Sequence, residues 1–335
     1  MLKLSVLDQS PIARGKTPAE GIQDTLRLAE AADRLGYHRY WLAEHHSSKR
    51  LASPAPEILI GQVAARTSRL RVGSGGVMLS HYSALKVAES FRTLEALFPG
   101  RIDLGIGRAP GSDRLTAQAL ASGPGALGIE YFPHRIADLM RFLHDEVEPE
   151  HPFASVHAMP TGETAPELWL LGSSAESASF AAHFGTAFSF AQFITAEGGP
   201  SVTQAYARAF KPSTYLSTPH ASVGVFVLCA ETEEAAAGLE RARQLALIRR
   251  YTGQEGGPYP TVEEALSYQL SGHEMAILEH VKSRTIAGVP EVVRSKLESL
   301  AAEFEVDEAV VVTVTADFES RLRSYELLAQ AFEMV

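Results

Sequence analysis

Cysteine is nearly absent from this chain of 335 residues: Cys229 stands alone, so no disulfide can close within it. That usage fits a reducing compartment. Basic residues are in deficit, with 30 Lys and Arg against 40 Asp and Glu and a net charge of −10. An acidic surface without a basic run argues against nucleic acid or an anionic membrane as the main partner. Long apolar runs are missing too. The opening segment Met1–Asp8 is too short for a signal peptide, and no later stretch could span a bilayer, so a cytoplasmic setting is expected. What remains is ordinary for a globular enzyme: 45% hydrophobic and 21% charged residues exclude a disordered or fibrous chain. Length alone suggests about two domains but allows one enlarged barrel, and the core can be large.

Apolar runs and amphipathic segments alternate along almost the whole chain. Leu2–Leu7 reads as a first strand, nearly continuous in apolar character, as a strand covered on both faces should be. A helix follows, with Thr17 and Glu20 as a capping box, Pro18 in its first turn and Gly36 at its end. Further strands are expected at Tyr37–Ala43, Leu70–Leu79, Arg101–Ile106, Glu167–Leu171, Ala187–Ala191, Ala221–Cys229 and Ala309–Val314. Helical stripes lie between them. Eight strands alternating with helices imply parallel pairing through right-handed crossovers. They close most naturally into a single (β/α)8 TIM barrel over residues 1–335, with insertions after strands 4 and 7, at about 111–165 and 250–285. A doubly wound sheet is the runner-up, although such sheets usually have fewer strands.

In such a barrel, chemistry collects where strands end. The expected ends carry Asp8-Gln9-Ser10, Glu44-His45-His46, Ser74-Gly75-Gly76, Gly105-Ile106-Gly107-Arg108, Gly172-Ser173-Ser174 and the neighbourhood of Gln192. Ser173 and Ser174 lead into a helix whose free N–H groups and positive dipole end suit a phosphate, with Ser177 one turn on. Plain N-capping explains the serines equally well in isolation. Arg108, a cation at the end of the neighbouring strand, shifts the balance towards phosphate. The glycines 75 and 76 mark either a bulge or a place where a flat ligand lies against the backbone. Of His45 and His46, one is expected to face the rim as an acid, base or hydrogen-bond donor and the other to be structural.

Several chemistries are poorly supported. Gly105-x-Gly107 followed by Gly111 has the wrong spacing for a dinucleotide fingerprint, and Pro110 stands where a helix should open. Adjacent histidines at a strand end point in alternate directions, and neither a His-Glu-x-x-His pattern nor paired cysteines suggest a metal, so none is expected. A Schiff-base aldolase needs a lysine inside the rim, yet the seven lysines fall mostly in expected helices and loops.

Taken together, the strand-end motifs resemble the bacterial luciferase-like family of flavin-dependent monooxygenases, in its single-chain oxidoreductase branch. The resemblance rests on Leu7–Pro11, Tyr40–His46, Gly73–Leu79, Gly100–Asp113 and Leu170–Ser174. It covers nearly the whole chain, most specifically residues 2–113 and 167–192. It implies a (β/α)8 barrel that binds FMN. The family's phosphate contacts fall on Arg108, Ser173, Ser174 and Ser177, and the non-prolyl cis peptide under its flavin ring falls on Gly75-Gly76. The family's active-site histidine, which follows a glutamate, falls on His45 after Glu44. A second phosphate arginine found in light-emitting members has no counterpart in Ala119–Ser122, leaving Arg114 or Arg135 to substitute.

The function implied is a monooxygenase that takes reduced FMN from a separate reductase, since nothing resembles a nicotinamide-binding domain. It would oxidise a small organic substrate such as an aldehyde, ketone or aromatic. The loop around Gly253–Pro258 is the expected lid, and the family is often dimeric. Two rival functions share the barrel: a deazaflavin-dependent dehydrogenase or reductase, and a flavin-binding protein without turnover.

Overall fold

The computed structural model describes residues 2–108, 113–120, 128–195, 197–254 and 256–334. Residues 109–112 of the β4 motif, Ala121 and Ser122 of the first expected insertion, and Glu255 of the expected lid lie outside the described residues.

Nine parallel strands form one sheet: β1 (Lys3–Asp8), β2 (Arg39–Leu42), β3 (Arg71–Met78), β4 (Ile102–Gly107), β5 (Glu167–Gly172), β6 (Ala187–Ala191), β7 (Ala221–Cys229), β8 (Thr285–Gly288) and β9 (Glu308–Val312). Eight of them close a barrel. β1 to β7 pair in sequence, β7 pairs with β9 from Val223↔Ala309, and β9 returns to β1 at Lys3↔Glu308. The expected (β/α)8 TIM barrel is therefore the observed one, and the expected eighth strand is β9. The additional strand β8 falls at the end of the expected 250–285 insertion and pairs only with the last part of β7, from Phe226↔Thr285 to Cys229↔Gly288. Four residues, Thr-Ile-Ala-Gly, of which the first three are half-buried, carry too little apolar pattern to announce a strand.

The helical layer follows the same logic. Thr17 accepts from the Glu20 backbone N–H while the Glu20 carboxylate takes the Thr17 N–H, so the expected capping box starts the helix Pro18–Arg34. The first expected insertion is less foreign than it reads. Its helix Phe132–His144 packs against the barrel helix Ala84–Leu97, and buried Arg92 fastens the two by donating to the carbonyls of Leu143 and Pro160. Among the described residues, no helix is long and apolar enough to cross a membrane.

Strand starts carry charge into the N-terminal end of the barrel. Arg39 donates to Asp103 at 2.9 Å, to Glu308 at 3.0 Å and to Glu167 at 3.3 Å, while Arg71 reaches Asp103 and Glu167. Burial disfavours the Arg39 charge, but Asp103, Glu308 and Glu167 outweigh it and raise its pKa above the ordinary value. Trp41 donates to Asp103 and meets Trp169 edge-to-face at 5.2 Å, and Arg39 stacks on Trp169. Such a plug is stable only while every charge keeps its partner; removing one member of a buried pair typically costs about 3–5 kcal/mol. It seals one end of the barrel and leaves the other end for chemistry.

Candidate active site

At the open end, Glu44 follows β2 and is almost completely buried. Its carboxylate is fully engaged. Oε2 accepts the backbone N–H of Met78 at 2.9 Å, and Oε1 accepts the Tyr82 hydroxyl at 2.8 Å and lies 2.6 Å from His46 Nε2. Burial pushes the Tyr82 hydroxyl pKa up, and its hydrogen bond to Glu44 adds to the rise. Glu44 lies against His46, two residues on, because alternate side chains at a strand end share a face. His46 thus takes the structural part. His45 faces the loop after β1, with its Nε2 3.5 Å from Gln9 Nε2.

Gly75-Gly76 is a cis peptide, as the family resemblance implies, and the β3–β4 register shifts between Gly75 and Val77. The glycines answer first to the barrel itself. A Cβ on Gly75 would stand 2.5 Å from Leu7 Cδ1, and one on Gly76 would stand 2.8 Å from the Gly105 carbonyl oxygen. Side chains are excluded there by neighbouring strands, so the bulge accounts for both glycines before any ligand is considered.

Across β4 and β5 the expected anion contacts converge. Ser174 caps the helix Ala175–Phe184, its Oγ accepting from the Ser177 N–H at 3.4 Å and lying 3.3 Å from Ser177 Oγ. Gly172 makes room for this: a Cβ there would stand 2.4 Å from Ser177 Oγ. Ser173 sits beside them, half-buried. Arg108 leaves the end of β4 and pairs with Glu176, the second residue of that helix. A cation, the capping Ser174 hydroxyl with that of Ser177, and a helix N-terminus are therefore within reach of one another.

Other expected contributors are used elsewhere. Arg135 Nη1 donates to the carbonyls of Leu79, Ser80 and Tyr82, bracing the turn after β3. Arg114 opens the short helix Arg114–Leu120. Asp8 is fully buried and faces the helical layer, where Arg321 and Tyr40 donate to it. Burial would raise its pKa, but Arg321 and Tyr40 hold it below the ordinary value. Sequence reasoning missed Tyr82, whose only signal was its place just past β3. At the end of β6, buried Gln192 donates to the Ser283 carbonyl, and its Oε1 has no partner among the described residues. Among the described residues no three His, Cys, Asp or Glu side chains gather as a metal site. A cavity of about 410 Å³ beside Arg14, Tyr259 and Val314 is lined by none of the predicted site residues.

Comparison with known proteins identifies the family. The family model for luciferase-like monooxygenases matches residues 2–308. The uncharacterized protein YwcH of Bacillus subtilis (strain 168) is 47% identical over 335 residues, covering 99% of each chain. N-acetyl-S-alkylcysteine monooxygenase of the same organism is 37% identical over 334 residues, covering 99% of this chain and 98% of its own. The crystal structure of apo-MsnO8 superposes with a TM-score of 0.90 at 39% identity, covering 100% of this chain and 98% of that one. The chain belongs to the luciferase-like monooxygenase family, and it is accordingly an oxidoreductase of the monooxygenase class.

Proposed function

We propose that the enzyme binds reduced FMN supplied by a separate reductase and uses molecular oxygen to oxidise a small organic substrate. One observation carries this reading: the Arg108 guanidinium already reaches the N-terminal turn of the helix that Ser174 caps. A dianionic phosphate placed there would meet a fork of N–H donors, the hydroxyls of Ser173, Ser174 and Ser177, and the positive end of the helix dipole. On an acidic chain such local donors are what an anionic cofactor requires. Glu176 competes for Arg108, but an exposed pair of this kind is worth about 0–1 kcal/mol and yields readily to a phosphate.

The ring system would lie by Gly75-Gly76, which carry no side chains of their own. Reduced flavin, when bound, supplies the electrons that activate oxygen. The chain's own residues do the rest. Glu44 holds the ends of β2 and β3 together through Met78 and Tyr82, which makes it a positioning residue. His45 presents its imidazole at the rim as the acid, base or hydrogen-bond donor. The loop at 253–258 is proposed to shield the site from water. The reading places the enzyme in the cytoplasm, where such a reductase would act.

The relative that acts on N-acetyl-S-alkylcysteines supports adding small thioethers to aldehydes, ketones and aromatics as substrates to be tried. The test couples the protein to an FMN reductase and NADH, and follows substrate-dependent oxygen uptake and a product heavier by one oxygen atom. His45→Ala should slow product formation by about 10²–10⁴-fold while leaving FMN affinity unchanged. Equal turnover by the variant would sink the role of His45. Anaerobic turnover with a reduced deazaflavin would favour hydride transfer instead, and FMN binding without any product would favour a carrier.

A further inference from the structure

Arg243 is a half-buried cation that no carboxylate among the described residues pairs. It lies on the helix Glu233–Tyr251 that follows β7. Among the described residues no carboxylate comes within ion-pair distance of it, and its buried Nε has no hydrogen-bond acceptor. Its guanidinium stacks on the Phe226 ring at 3.7 Å. The buried Tyr259 hydroxyl lies beside it and interacts with it, although neither that hydroxyl nor Arg243 Nε completes a well-aligned hydrogen bond. The other charges acting on Arg243 are those of Arg250 and Arg50, which have the same sign. Burial lowers the Arg243 pKa, Tyr259 opposes the shift and the two arginines add to it. Natural interiors rarely leave buried polar atoms unsatisfied, and a half-buried guanidinium with an unsatisfied Nε next to an unsatisfied phenol is a donor set awaiting an acceptor.

Its location decides what that acceptor is. Phe226 shares an apolar cluster with Leu7, Trp41, Ala43, Val310 and Val312, the side chains that fill the barrel. Leu7 is also the side chain that a Cβ on Gly75 would strike. In the closed eight-stranded circle β7 stands opposite β3, so Phe226, on which Arg243 stacks, lies on the strand across the barrel from Gly75-Gly76. Arg50 comes from the loop that carries Glu44, His45 and His46. Arg108 and the serine turn occupy the β4–β5 side and belong to the phosphate, so Arg243 and Tyr259 form a separate donor pair on the far side of the ring position.

We propose that Arg243, with the Tyr259 hydroxyl, is the site that recognises the carboxylate of an acidic organic substrate at the mouth of the barrel. A guanidinium fork matches the two oxygens of a planar carboxylate, and Tyr259 supplies a third donor. The assignment rests on the flavin reading for the identity of the ligand as substrate, but not for the existence of the site.

Isothermal titration of the intact protein with octanoate and benzoate, against octanamide and benzamide, tests it directly. The acids should bind at least tenfold more tightly than their amides. Arg243→Gln should remove that preference and Arg243→Lys should restore part of it, while Arg241→Gln, on the same helix, should change nothing. Equal binding of acids and amides by the unaltered protein, or no binding of either, would overturn the assignment without any variant. An acid preference retained in Arg243→Gln would do the same. FMN titration in parallel separates the two ideas. Absence of an acid preference in the unaltered protein, with normal FMN binding, refutes the anion site alone, whereas acid-selective binding without FMN binding refutes the flavin reading and leaves the anion site standing.

Discussion

Glu44 Oε2 lies 2.9 Å from the backbone nitrogen of Met78, a hydrogen bond that joins the end of β2 to the end of β3 across the floor of the candidate site. The other oxygen of the same carboxylate receives Tyr82 and faces His46, so one buried side chain sets the height of both strand ends.

This predicts a stability effect. Glu44→Gln turns a charged acceptor into a neutral amide, and one of its two hydrogen-bonded ends then presents N–H groups to donors. A loss of about 1–3 kcal/mol is expected, read as a lower midpoint in urea unfolding. Tyr82→Phe removes one bond and should cost about 1 kcal/mol. An unchanged midpoint for Glu44→Gln would show that the carboxylate does not carry this joint.

Glu176 competes with phosphate for Arg108. Neutralising it in Glu176→Gln releases the guanidinium and removes a negative charge from the helix N-terminus. FMN should then bind about two- to fivefold more tightly, the scale of an exposed ion pair. Weaker FMN binding in this variant would mean that Glu176 helps rather than hinders.

Acid should destabilise the fold in two stages. Burial pushes His144 down to about 4 from an ordinary 6.5, with Arg92 adding to the effect. The unfolded chain therefore binds a proton that the folded one refuses, and stability falls as pH drops from about 6.5 towards 4. For Glu167 burial alone would raise the pKa, but His220, Arg39 and Arg71 hold it at about 2 against an ordinary 4.5. That contribution is present above 4.5 and is lost as pH falls towards 2. His144→Phe, which keeps the stack on Tyr215, should flatten the upper stage only. Unfolding midpoints measured from pH 7 down to 3 decide it: an unaltered slope between 6.5 and 4 in the variant would contradict the assignment.

The barrel was legible because parallel strands buried on both faces read as short apolar runs, and every strand of the closed circle shows this. The converging rim was legible because polar residues and glycines follow those runs directly. Partnerships were not. Alternation puts Glu44 and His46 on one face, but nothing in Glu44-His45-His46 tells that the carboxylate also meets Met78 and Tyr82, since that depends on where β3 places them. Asp8 read as a rim group, yet Arg321, 313 residues away in sequence, draws it into the helical layer. The charged plug left a usable trace: Arg39, Arg71, Glu167 and Glu308 each open an otherwise apolar strand. Arg243 left none, because a single arginine in a charged helix looks like a solvated face until Phe226 is seen beneath it.

The central claim, a phosphate-bearing flavin held by Arg108 and the Ser173–Ser177 turn, is tested most directly by titrating the protein with FMN and with riboflavin, which lacks the phosphate. The unaltered enzyme should bind FMN about tenfold or more tightly than riboflavin, and Arg108→Ala should erase that difference while barely affecting riboflavin. Equal affinity for the two flavins in the unaltered enzyme, or a full preference for FMN surviving in Arg108→Ala, would contradict it.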